Sequence, residues 1–195
     1  MISDFPLFAY KRECFQEFED EVSLVLWCMG CNMDCSWCSV KNYLSDTEKE
    51  LKEDYIELIK SKTPLETAVV FLGGEPTLRE EGLAQGCQEA KLLGMKTKVF
   101  TNGNSIRSAE LLRELGIAKL LDSVALDYKY PLQNIQSFIA SVMKTGISLE
   151  IRTTVHPGLT EIDLSQMKQV GETLKVSGLI NKHIFQRYIS PEEIN

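Results

Sequence analysis

Four of the six cysteines lie close together in the sequence, at Cys28, Cys31, Cys35 and Cys38. The spacing Cys31-x3-Cys35-x2-Cys38 supplies three thiolates, one fewer than the four that usually saturate a [4Fe–4S] cluster, which leaves one iron free for a substrate or cofactor. The pairs Cys28-x2-Cys31 and Cys35-x2-Cys38 also resemble two zinc knuckles, but only three residues separate them, whereas zinc sites normally have a long spacer. We therefore expect Cys31, Cys35 and Cys38 to bind a [4Fe–4S] cluster, with a non-catalytic iron–sulfur or zinc binding module as one alternative.

The composition limits the classes of partner and location. The 195 residues carry 28 acidic and 21 basic side chains, a formal charge of −7, which argues against a nucleic-acid partner. No apolar stretch approaches the roughly 20 residues that span a bilayer, and the first residues lack the order of a signal peptide. We expect a cytoplasmic protein with no membrane partner and with reduced cysteines. Cys14, Cys28 and Cys87 are expected to be small buried side chains.

Short apolar runs rich in β-branched and aromatic residues alternate with helical patterns along the chain. This alternation predicts a parallel α/β sheet with crossover helices. The predicted strands are 22–27, 67–72, 96–101, 123–127, 148–155 and 183–188. The predicted helices are 46–60, 78–93, 105–115 ending at Gly116, 132–145 closed by Gly146, and 163–174.

Polar or glycine-rich residues follow nearly every predicted strand, so they should meet at one rim of the sheet, where barrel enzymes build their active sites. Six units are too few for a closed eight-unit barrel. The prediction is a single domain over residues 1–195, with an N-terminal extension (1–21) and a partial, TIM-like (β/α)6 barrel (22–188). The strand-end residues are the cysteines, Gly73-Gly74-Glu75-Pro76, Asn102-Gly103, Asp127-Tyr128-Lys129 and His156-Pro157-Gly158.

The cysteine triad, the aromatic Trp37 before its last member, and Gly-Gly-Glu-Pro after the second strand resemble the signature of the radical S-adenosylmethionine (SAM) superfamily. The resemblance implies that SAM chelates the open iron and is cleaved to methionine and a 5′-deoxyadenosyl radical. It also implies that Trp37 packs near the adenine. Gly73 and Gly74 let the backbone approach the ligand, and Glu75 can pair with the methionyl ammonium.

Three later motifs are similar to those of activating enzymes for glycyl-radical proteins, above all the anaerobic ribonucleoside-triphosphate reductase activating proteins. The resemblance implies that Asp127 and Lys129 face the SAM pocket and that Arg152 reaches the cofactor. A solvated surface pair is the alternative for Asp127 and Lys129. A buried arginine needs an anionic partner, which the SAM carboxylate would supply. The motifs are Thr101-Asn102-Gly103, Leu126-Asp127-Tyr128-Lys129, and residues 151–158.

In related activators, an Asp-Thr pair on the third strand helps to hold a monovalent cation beside SAM. Here that pair is Phe100-Thr101, which leaves Thr101 and Asp127 as the oxygen ligands of such a cation. His156 and His183 are not expected to be ligands, and no single catalytic residue is assigned.

The implied partners are a glycyl-radical protein, in particular anaerobic ribonucleotide reductase, and an electron donor such as flavodoxin or ferredoxin. A hydrogen atom is abstracted only at near contact, so the partner's glycine must enter the barrel. The enzymatic alternative is a radical SAM reaction on a small molecule or a peptide, of the 7-carboxy-7-deazaguanine synthase or peptide-modifying kind.

Overall fold

The computed structural model describes residues 5–129, 135–190 and 193, which form a seven-stranded sheet with helices on one face. The strands follow one another in chain order across the sheet, and the last six all run parallel to one another. The alternating α/β order that the sequence predicts is thus confirmed. The strands are β1 (Leu7–Cys14), β2 (Ser23–Cys28), β3 (Ala68–Gly73), β4 (Lys96–Thr101), β5 (Ser123–Asp127), β6 (Ser148–Val155) and β7 (Lys182–Arg187).

Strand β1 lies in the segment that was expected to precede the core. It pairs antiparallel with β2, from Leu7 opposite Cys28 to Cys14 opposite Ser23. Its middle residues are half-buried or exposed, as in many edge strands, so its sequence lacks the apolar run that marks the other strands. The prediction of six strands was therefore one short.

Within the part of the chain that the structure describes, five α-helices cover the outer face of the sheet, and their ends differ in places from the prediction. Thr160 begins the last helix through a reciprocal capping box with Asp163. Among the described residues, no helix combines the length and the apolar character needed to cross a membrane. The helices are α1 (Tyr55–Lys60), α2 (Glu80–Leu92), α3 (Ile106–Ile117), α4 (Ile135–Val142) and α5 (Glu161–Val176).

Two helix boundaries were predicted wrongly, and a third predicted helix lies partly outside the described residues. The first helix begins only at Tyr55 because Asp54 caps it, while the backbone of Leu51 donates to the carbonyl of Leu7 and lies outside any helix. Gly116 lies inside α3, where a Cβ would come within 2.5 Å of Ile147, so this glycine makes room for packing. Residues 132–134 of the predicted fourth helix are not described, and Gly146 follows it in a left-handed conformation as expected.

All seven strands contribute residues to the wall of one cavity, which shows that the sheet curves around it. Most buried apolar side chains lie between the sheet and the helices, in one core that runs from Phe5 to Ile180. A smaller cluster of Cys14, Val25, Val70 and Leu72 lies on the concave face. This arrangement confirms the α/β partial barrel.

The connection between β1 and β2, residues 15–22, closes the end of the barrel opposite the cysteines. Glu17 accepts from Arg152 on β6 at 3.1 Å, and Glu19 pairs with Lys182 at the start of β7 at 2.6 Å. The ring of Phe18 lies 5.4 Å from the ammonium of Lys98. The hairpin therefore reaches across the barrel from its first strands to its last.

Candidate functional site

A cavity of about 680 Å³ opens at the carboxyl ends of the parallel strands. Its size falls in the range of pockets that hold cofactors and small ligands. All of the predicted site residues except Glu75 line it, so the strand-end motifs do converge. These residues are Cys31, Cys35, Trp37, Cys38, Gly73, Gly74, Thr101, Asn102, Asp127, Lys129 and Arg152.

Three thiols of the cysteine loop (residues 29–40) face this cavity. Cys31, Cys35 and Cys38 are half-buried and free of disulfides, and the backbone of Cys38 donates to the carbonyl of Cys35 at 3.1 Å. Burial raises the pKa of the Cys31 and Cys35 thiols, so a metal that binds them must displace their protons. Cys28 is completely buried, and burial raises the pKa of its thiol far above its ordinary value, in keeping with its predicted structural role.

The donor set suits an iron–sulfur cluster. Among the described side chains, no three metal-ligating groups converge closely enough to hold a single ion. The fit to a cluster rests on donor chemistry, because three soft thiolates in one loop face a cavity with room for a further ligand on a fourth iron.

Gly73 and Gly74 bring the end of β3 against the start of the cysteine loop. The backbone of Gly74 donates to Cys28 at 2.9 Å, and that of Glu75 donates to Gly30 at 2.8 Å. A Cβ on Gly74 would lie 1.9 Å from the carbonyl oxygen of Gly30. The glycines line the cavity as expected, and they also let two backbones meet.

Glu75, predicted to pair with the methionyl ammonium of SAM, lies beneath the cavity instead. It is fully buried, and its carboxylate accepts from the hydroxyls of Thr77 at 2.6 Å and Thr101 at 2.8 Å. It also accepts from the backbone of Asn102 at 2.7 Å. Burial raises the pKa of Glu75, although these donors act to lower it. The carboxylate is occupied by protein donors and fixes the end of β4.

Asp127 and Lys129 form an ion pair in the wall of the cavity, so they are not a solvated surface pair. Burial acts to lower the pKa of Lys129, but the carboxylate of Asp127 outweighs it and holds that pKa above its ordinary value. The Oδ1 of Asp127 is buried without a hydrogen-bond partner. The hydroxyl of Thr101, the other predicted cation ligand, already donates to Glu75, so the cation site stays a prediction.

Arg152 finds its anionic partners within the chain, where the sequence predicted the SAM carboxylate. Its Nε donates to Glu150 at 2.8 Å and its Nη1 to Glu17 at 3.1 Å. The guanidinium lies 4.4 Å from the centre of the Phe100 ring. Phe100 stands at the position where the resemblance to related activators implies an aspartate. Arg152 lines the cavity with its orientation already fixed.

Glu150 and Lys98 form a buried ion pair that the sequence alone does not predict. Their oxygen and nitrogen are 2.8 Å apart, and both side chains are almost completely buried inside the barrel. Burial alone would raise the pKa of Glu150, but Lys98 and Arg152 lower it below its ordinary value. This pair supports Arg152 from below.

Trp37 packs against His156, which the sequence alone marks as a loop residue. The two rings are stacked, and Trp37 also lines the main cavity. Burial and Lys129 together lower the pKa of His156.

Other lining residues were not anticipated. Gln186 donates to Thr154 at 3.0 Å, and Phe8 stacks on Tyr43 with ring centroids 5.2 Å apart. Thr154 lies two residues beyond Arg152 on the same strand, so both side chains face the same side of the sheet. This spacing could have identified Thr154 as a lining residue.

The profile of the radical SAM superfamily matches residues 25–170 of this chain. A Methanocaldococcus jannaschii protein named as a candidate glycyl-radical enzyme activating enzyme is 26% identical over 82% of this chain and 71% of its own length. An S-adenosylmethionine-dependent nucleotide dehydratase of Flammeovirga pacifica is 25% identical over 89% of this chain and 69% of its own.

Among solved structures, Streptococcus suis SuiB bound to S-adenosylmethionine is 15% identical, with a TM-score of 0.43 over 82% of this chain. The match spans about half of that protein, 48% of its length. The profile covers most of the barrel, including the cysteine loop and the strand ends that line the cavity. This chain belongs to the radical SAM superfamily.

Proposed function

We propose that this chain cleaves SAM reductively at a [4Fe–4S] cluster bound by Cys31, Cys35 and Cys38 and generates a glycyl radical on a partner enzyme. The observation that carries the proposal is that the three thiols line one cavity together with Asp127, Lys129 and Arg152. The similarity to the candidate activating enzyme of M. jannaschii supports the choice of reaction.

Cys31, Cys35 and Cys38 would hold the cluster, which when bound and reduced would supply the electron for the cleavage of SAM. The chain's own residues orient and shield the cofactor. Lys129 and Arg152, each already paired with carboxylates of the chain, offer further N–H donors to a carboxylate. The Trp37 indole offers an apolar wall for a nucleoside base. The concave cluster around Val70 and Leu72 keeps water from the floor.

The open side of the barrel suits a macromolecular substrate. Phe8 and Ala9 on β1 and Gln186 and Arg187 on β7 all line the cavity, so it extends to both edges of the sheet. Within the described residues, β1 and β7 do not pair with each other. A loop that carries a glycine can therefore approach through the gap. We assign anaerobic ribonucleotide reductase as this partner, with flavodoxin or ferredoxin as the electron donor, in an anaerobic cytoplasm.

The test uses anaerobically reconstituted protein with SAM, a reductant and the partner. We expect a glycine-centred EPR signal on the partner, together with release of 5′-deoxyadenosine. Cys35→Ala should abolish both. Release of 5′-deoxyadenosine with no glycine signal on any glycyl-radical protein of the same organism would remove the activating function and leave SAM cleavage intact.

A small nucleotide is the second candidate substrate, favoured by the relative from F. pacifica that acts on nucleotides. The same assay with nucleoside triphosphates in place of the partner separates the two. Consumption of a nucleotide in step with 5′-deoxyadenosine release would favour this reaction over glycyl-radical formation.

A further inference from the structure

We propose that the side-chain amide of Asn102 donates a hydrogen bond to the Sγ of Cys31 and thereby raises the reduction potential of the cluster. The inference rests on the cluster of the proposed function, but not on which substrate receives the radical. It gives Asn102 a role directed at the iron–sulfur centre, whereas the family resemblance implied only a general place in the cofactor pocket.

The orientation of the Asn102 amide is fixed from its oxygen side. Its Oδ1 accepts from the backbone of Asn104 at 2.9 Å, so the oxygen faces its own chain and the nitrogen faces the cysteine loop. Its backbone N–H donates to the buried carboxylate of Glu75. Only 5% of Asn102 is exposed, so bulk water does not compete for the amide.

The amide nitrogen has two hydrogens and two acceptors in reach. The Nδ2 of Asn102 lies 2.8 Å from the Oδ1 of Asn32 and 3.9 Å from the Sγ of Cys31. Sulfur is large, so its hydrogen bonds are longer than those to oxygen. One amide group thus ties the end of β4 to two consecutive residues of the cysteine loop.

A hydrogen bond to a ligand sulfur places partial positive charge beside the cluster. Reduction adds one negative charge, so such a donor stabilises the reduced state more than the oxidised state and raises the potential. The effect is strengthened because Cys31 is half-buried, where the dielectric is low. Asn102 is therefore a positioning residue for electron uptake.

The experiment is a redox titration of the reconstituted protein without SAM, followed by EPR of the reduced cluster. Asn102→Asp keeps the acceptor for Asn104 and replaces the donor by a carboxylate oxygen, and Asn102→Ala removes the whole group. We expect the midpoint potential to shift to a lower value in both variants, and further in Asn102→Asp. Asn32→Ala is the matched control, because it removes the other partner of the amide and should leave the potential unchanged.

An unchanged potential in the Asn102 variants, at wild-type iron content, would overturn the inference. A wild-type protein that takes up no cluster would overturn the proposed function instead. If the Asn102 variants fail to load iron, the contact is tested by EPR of the Asn32→Ala protein labelled with 15N-asparagine. A 15N hyperfine coupling to the reduced cluster is expected, and its absence would refute the contact.

Discussion

The imidazole of His156 lies parallel to the indole of Trp37, with ring centroids 3.7 Å apart and planes inclined by only 7°. Trp37 stands between Cys35 and Cys38 in the sequence, and His156 follows β6 on the far side of the cavity. The stack therefore ties the cysteine loop to the opposite wall of the barrel.

Loss of this stack should loosen the cysteine loop. His156→Ala removes the ring, and aromatic pairs contribute about 1 kcal/mol beyond their buried area. We expect amide hydrogen exchange in residues 35–41 to accelerate roughly fivefold in the cluster-loaded protein. His156→Phe restores a flat ring and should exchange like the wild type. Equal exchange in the two variants would show that the stack does not hold the loop.

The Lys98–Glu150 pair should be important for stability. Glu150→Gln leaves the ammonium of Lys98 buried without an anion, which should cost about 3 kcal/mol of the free energy of unfolding in urea. Glu114→Gln alters an exposed pair with Arg107 and should leave the midpoint of unfolding unchanged. Similar midpoints for the two variants would mean that Lys98 finds another partner.

The same pair predicts a dependence of stability on pH. The folded protein holds the pKa of Glu150 below its ordinary value, so this carboxylate stabilises the fold at neutral pH. The contribution is lost as the pH falls below about 4.3, where glutamate becomes protonated in the unfolded chain. The difference in unfolding free energy between the wild type and Glu150→Gln should therefore shrink on acidification. A constant difference would contradict the lowered pKa.

Gly74 should be essential for the geometry of the cysteine loop. In Gly74→Ala the new Cβ meets the carbonyl oxygen of Gly30, which neither backbone can avoid without moving. We expect the iron and sulfide content after reconstitution to fall by more than about half. Gly94→Ala is the control, since it costs about 1 kcal/mol through its left-handed backbone, has open space around it and should bind iron normally.

Arg152 should contribute to SAM binding through its fixed guanidinium. Arg152→Lys loses the planar group that stacks on Phe100 and spans Glu150 and Glu17. We expect the Kd for SAM, measured by calorimetry on the cluster-loaded protein, to rise about tenfold. Arg12→Lys alters an arginine paired with a buried glutamate outside the cavity and should not change it. An equal Kd in both variants would limit Arg152 to a structural role.

The sequence sufficed to predict the parallel strands and the strand-end residues that line the cavity. Apolar runs mark β2 to β7, and parallel strands bring their carboxyl ends to one rim, so the strand-end motifs had to meet. Edge strand β1 was not predicted because charged, half-exposed residues interrupt its apolar pattern.

Long-range pairings set the limit of the prediction. Lys98 and Glu150 are 52 residues apart, and a charged residue inside a strand suggests a solvent-facing position until its partner is known. The hydrogen-bond partners of Glu75 could not be predicted for the same reason, since Thr101 and Asn102 reach it from another strand. Periodicity describes each element alone, whereas these contacts depend on the assembled barrel.

The hairpin connection at residues 15–22 carries an ion pair that is sensitive to ionic strength. Glu19 on that connection holds Lys182 at the start of β7 through an exposed ion pair, which added salt screens. The buried Lys98–Glu150 pair is shielded from the same ions. Added salt should therefore weaken the Glu19–Lys182 pair while the Lys98–Glu150 pair stays intact.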